Sequence, residues 1–213
     1  MNRTSRAMGA LAGHRASRAD RRTYLAATIS LLGVGTFMVG VALLHLLKRD
    51  LSPTQHFISE YALGDFGWVQ RIDFLAVGLG TIALALTLSR VVKNPGRIAP
   101  IFIGCFGVSA LLVAFVQIDG PQPITTEGQA HEMISAIGFV LLLTGMFVMA
   151  KKFRSDAAWS ALRTPTIVWA VIASTTFVFM MVLGGVGQRI FIASCFSWML
   201  AIAYHARRLA RSA

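Results

Sequence analysis

The chain has 213 residues, 55% of them hydrophobic and only 14% charged, with a mean hydropathy of +0.65; a soluble domain carries about 25% charged residues. That balance excludes an ordinary soluble enzyme and points to an integral membrane protein. A net charge of +11 would suit nucleic-acid binding only if it formed a basic face on a soluble surface. Here the charges fall in short segments between apolar runs, so no nucleic-acid partner is expected.

The elements follow in chain order. Residues 1–23 form an arginine-rich stretch without apolar periodicity, read as a disordered cytoplasmic tail near anionic headgroups. "DRRTYLAA", Asp20 to Ala27, which begins in it and runs into the first span, resembles a twin-arginine export signal. The apolar run that follows is much longer than a signal peptide's core of about 7–15 residues, and no small-residue cleavage site precedes "HLLKRD". The expectation is therefore a retained first span. Residues 24–208 are read as one all-α membrane domain with six spans: Tyr24–Leu47, Phe74–Val92, Ile98–Ile118, Met133–Ala150, Ile167–Leu183 and Ile190–Tyr204. Small residues recur on the first three, at Thr36, Gly40, Ala76, Gly80, Gly104, Gly107 and Ala110, and they let helix backbones approach where lipid offers no hydrophobic drive. A compact six-helix bundle follows. The two cysteines, Cys105 and Cys195, lie within spans and are read as packing residues.

Sixteen of the twenty basic residues fall on the side of the N-terminus. The outer segments keep only Lys48, Arg49, Arg71 and Arg189. This bias places both termini in the cytoplasm and the protein in the plasma membrane. Seven of the nine acidic residues lie on the opposite side. Acidic residues contribute little to orientation, so their concentration calls for another explanation.

Three outer segments carry the unusual chemistry: "SPTQHFISEYALGDFGW" from Ser52, "QIDGPQPITTEGQAHE" from Gln117 and "GGVGQR" from Gly184. Hairpin partners pack side by side, so the three should meet at one end of the bundle. The candidate ligand-binding residues are Ser59, Glu60, Asp119, His131 and Arg189. His56, Glu60, Asp119 and His131 are ligand types suited to a divalent metal, although no H-E-x-x-H array fixes them on one helix. Each has a plainer reading: Ser59 and Asp119 as cap or turn formers, and His131 with Glu132 as a helix start. Arg189 has two, an ion pair with the outer carboxylates or an anchor for a phosphate headgroup. No nucleophile elbow supports a serine hydrolase. No paired mid-span histidines support a haem.

Taken together, "SEYALGDFGW", the D-G-P…T-T-x-x-G-x-x-H pattern leading into the fourth span and G-x-x-Q-R at the sixth resemble the bacterial and archaeal membrane family catalogued as domain of unknown function nine-nine-eight. The resemblance covers Tyr24 to Arg208 and implies about six helices; it supplies no reaction. It matches Asp119, whereas the proline of the family's F-P-T-D-P is absent from "VQIDGP". The expectation is a polar outer pocket that binds a lipid headgroup or small ligand, the alternative being a membrane enzyme, metal-assisted or not, acting on a lipid or ester through Glu60, Asp119 and His131.

Overall fold

A computed structural model describes the backbone of residues 3–120 and 125–212, with side-chain surroundings for residues 20–120, 125–180 and 182–211. The described residues are helical with no strand. Six helices follow in order: α1 (Arg3–Leu47), α2 (Gly67–Val91), α3 (Ile98–Val113), α4 (Thr126–Phe153), α5 (Arg163–Val178) and α6 (Met180–Ser212). Five of them are long and apolar enough to cross a membrane, and α3 is a shorter apolar helix. The basic stretch before Tyr24 is drawn as a helical continuation of the first span.

The burial pattern of α1 shows why these sequences make a membrane bundle. Its buried positions, Thr23, Ala27, Ser30, Val34, Phe37, Val41, Leu44 and then Lys48, recur every three or four residues and form one stripe. The opposite face is also apolar, with Leu32 65% and Val39 70% exposed. A helix that is hydrophobic all round belongs in lipid. Consecutive helices pack against each other and α6 returns to α1, so the bundle closes on itself. Small residues set the close approaches: Gly33 lies against Ala76 and Gly80, and Gly78 faces Gly107.

Several boundaries differ from the sequence expectation, among them the start of α4 at Thr126 and the end of α5 at Val178, and three bear on the site. First, α2 starts at Gly67, two turns before Phe74, so Asp73 belongs to the helix interior and is buried. The polar residues of "GWVQRID" hide a helix whose inner face carries Gln70 and Asp73. Second, α3 ends at Val113 and a turn follows, so Ile118 lies beyond the helix. Third, "GGVGQR" is not a loop. It forms the first turns of α6, broken once at Gly184, whose φ of 55° and ψ of −139° are accessible essentially only to glycine.

Candidate functional site

The segment between α1 and α2 folds over the N-terminal end of α6. It contains a short 3-10 turn, Ile58–Ala62. Glu60 organises it: one carboxylate oxygen accepts from the Phe57 amide at 2.7 Å and the other meets His56 Nδ1 at 2.8 Å. The start of α6 clips the turn in place. The Ile58 amide donates to Gln188 Oε1. Arg189 donates from Nε to His45 Nε2 at 3.0 Å, from Nη1 to the carbonyls of His56 at 2.8 Å and Gly185 at 3.0 Å, and from Nη2 to the Tyr61 hydroxyl at 2.9 Å. His45 in turn donates from Nδ1 to the Val41 carbonyl at 2.6 Å, which leaves its Nε2 as the acceptor Arg189 needs. All four of these Arg189 acceptors are neutral, and no ion pair joins it to a carboxylate among the described residues. The expected ion pair is therefore replaced by a staple of neutral acceptors, and most of the guanidinium is already used.

Close approach explains the glycines here. A side chain at Gly185 would lie 2.5 Å from the carbonyls of both Pro53 and His56. The loop can lie on α6 only because nothing projects from it there.

The connection from α3 to α4 is closed by its own polar groups. The Asp119 carboxylate accepts from the Thr125 amide and, at 2.8 Å, from the Thr125 hydroxyl; that hydroxyl caps α4 by accepting from the Gly128 amide at 3.0 Å. Glu127 accepts from the Gln117 amide at 2.7 Å. His131, 2% exposed, donates from Nδ1 to the Val116 carbonyl at 2.7 Å. A carbonyl can only accept, so the neutral ring keeps an unprotonated Nε2, which makes no hydrogen bond among the described residues. The proline-containing part of this segment, residues 121–124, lies outside the described residues.

The expected single pocket of Glu60, Asp119 and His131 divides. Ser59 and His131 line one cavity of about 360 Å³. His56 and Glu60 face a separate recess beside Lys48 and Asp65, and Asp119 is engaged in its turn. Among the described residues no three His, Cys, Asp or Glu side chains lie together as a metal would need. The cavity's inner wall is aromatic and aliphatic, including Phe37, Phe106, Phe139 and Phe196. Its polar members are Ser59 from the α1–α2 segment, Ser109 on α3, His131, Glu132 and Ser135 on α4, and Gln188 on α6. No lysine or arginine is among its described lining residues. Arg189 therefore stands outside it, while its neighbour Gln188 is the site residue that the sequence reading passed over. The signal for it was present in G-x-x-Q-R.

Comparison with known proteins adds a family and nothing more specific. The family described as Protein of unknown function (DUF998) matches residues 7–205. No curated protein and no solved structure matches the chain.

Proposed function

We propose that this chain, which belongs to the DUF998 family, is a multi-pass plasma-membrane protein that holds one amphiphile from the outer leaflet in its cavity. The single observation that carries this reading is a cavity wall that is mostly apolar, with a few polar side chains contributed by four segments. Ligand sites span about 300–1,000 Å³ and are mostly apolar with a few placed polar groups; about 360 Å³ suits one chain or a small hydrophobic molecule. The polar groups narrow the headgroup. Gln188 has committed its carbonyl oxygen to Ile58, leaving amide donors; His131 Nε2 and the Glu132 carboxylate are acceptors. A hydroxylated or amine-bearing headgroup matches that set. A bare phosphate would want the fixed cation that this lining lacks. The basic bias of the segments on the N-terminal side supports cytoplasmic termini and an outward cavity.

The test is mass spectrometry of lipid retained by detergent-purified protein, comparing wild type with Ala110→Phe and Ala136→Phe, which fill the cavity from α3 and α4. The expected outcome is a retained amphiphile in wild type, lost at least about tenfold in both variants at unchanged melting temperature. Absence of any retained amphiphile, or equal retention in well-folded variants, rules the reading out.

A second reading, ester or lipid hydrolysis in the same cavity, draws on one observation. His131 is held by a backbone carbonyl with its other nitrogen free, as a general base requires, and Ser59 and Ser135 line the same space. Labelling of either serine by a fluorophosphonate, abolished in His131→Ala, would favour it.

A further inference from the structure

We propose that Gln70 and Asp73, one turn apart on α2, form an intramembrane site for a monovalent cation, either a proton or an alkali ion. This site is separate from the cavity, which neither side chain lines. Asp73 is 1% exposed and Gln70 0%. Asp73 Oδ2 and both polar atoms of the Gln70 amide are enclosed with no hydrogen-bond partner among the described residues. Three such atoms on one face of a membrane-crossing helix are costly when nothing satisfies them. An ionisable side chain inside a span marks a functional position by default.

The surroundings have been shaped for the carboxylate. From α1 it faces Gly40, where any added Cβ would collide with both carboxylate oxygens. Six titratable or charged groups that neighbouring elements bring to this end of the bundle are engaged elsewhere. His45 and Arg189 bond each other, His56 and Glu60 bond each other, and Lys48 donates to the carbonyls of Tyr61 and Leu63. His131, whose ring lies 6.1 Å from that of Phe74, is tied to Val116. None bonds Asp73. A monovalent cation resolves the vacancy of partners directly. Side chains three apart on a helix are neighbours, so a protonated Asp73 can donate to Gln70 Oε1. An alkali ion would instead take the hard oxygens of both side chains. In either case, release of the cation leaves a bare carboxylate against Gly40, so occupancy sets how closely α1 and α2 pack.

The experiment is infrared spectroscopy of the full chain in detergent, with wild type, Asp73→Asn and Gln70→Leu compared in choline and in sodium buffers across pH. The expected result is a protonated-acid carbonyl band at neutral pH in choline that is missing from Asp73→Asn and displaced in Gln70→Leu. If sodium converts that band to carboxylate at fixed pH, the resident ion is an alkali ion; if only rising pH does so, it is the proton. Both support the site. Should Asp73→Asn fail to fold, the displacement in Gln70→Leu still assigns the band. A wild-type spectrum with no acid carbonyl at neutral pH and no response to sodium would overturn the proposal.

Discussion

Arg189 shows how much a single side chain decides where the α1–α2 segment meets α6. Four of its donors reach four neutral acceptors on α1, α6 and the intervening segment. Buried acceptors left unmade cost about 1–3 kcal/mol each. Arg189→Ala is expected to lower stability in detergent by about 2–4 kcal/mol, and Arg189→Lys to recover little of it because an ammonium cannot span the same fork. A melting curve unchanged by either substitution would remove the staple from the account. Lys48 gives a prediction in pH. It is 7% exposed, and loss of water around the ammonium lowers its pKa, with Asp50 and Asp65 opposing the shift. Between the lowered folded value and the ordinary unfolded one, the unfolded chain holds the extra proton, so stability rises with pH across that window. Chemical denaturation through the alkaline range should show this slope in wild type and lose it in Lys48→Met. At this scale the sequence was only partly readable. It marked His131 and Ser59, which share a cavity, and Arg189, which orders the segment; it offered Arg189 carboxylates or a phosphate because charge is visible in a sequence and neutral acceptors gathered by the fold are not. Gln70 and Asp73 were missed for a related reason, since polar residues ahead of an apolar run read as loop.

Among the elements, α6 departs most from its apolar pattern. Three glycines ahead of Gln188 suggested an outer loop, yet they permit a helix break at Gly184 and the seating of residues 53–56 on Gly185. Gly184→Ala places a Cβ on a backbone that only glycine favours and should cost roughly 1–3 kcal/mol, read as a lower melting temperature with faster proteolysis in residues 52–66. Gly35→Ala is the control. A methyl there meets nothing within 4 Å, and alanine is the better helix former by about 1 kcal/mol, so stability should hold or rise. Equal losses in the two variants would disprove a special backbone role for Gly184. The long spans were legible because lipid demands continuous apolar runs. The ends of α2, α3 and α6 were not, because they are set by contacts between segments distant in the chain.

For the whole molecule, orientation is the property that sequence argues and side-chain contacts do not address. If the termini are cytoplasmic, a cysteine at Thr126 reacts in intact cells with a maleimide that cannot cross membranes, while one at Ser155 reacts only after lysis; the reverse pattern inverts the protein. Closure of the bundle through α1 and α6 has a bearing on how the chain is made. The buried stripe of α1 has α6 as one of its two main partners, and His45 waits for Arg189. At about 5–20 residues per second, on the order of ten seconds separate the emergence of Leu47 from that of Arg189. For that interval the first helix sits in the bilayer with Phe37 and His45 still without Phe196 and Arg189, and the turn between α1 and α2 lacks the Arg189 staple. A ribosome that stops before α6 leaves a half-walled bundle, and a separately supplied α6 is the piece most suited to complete it.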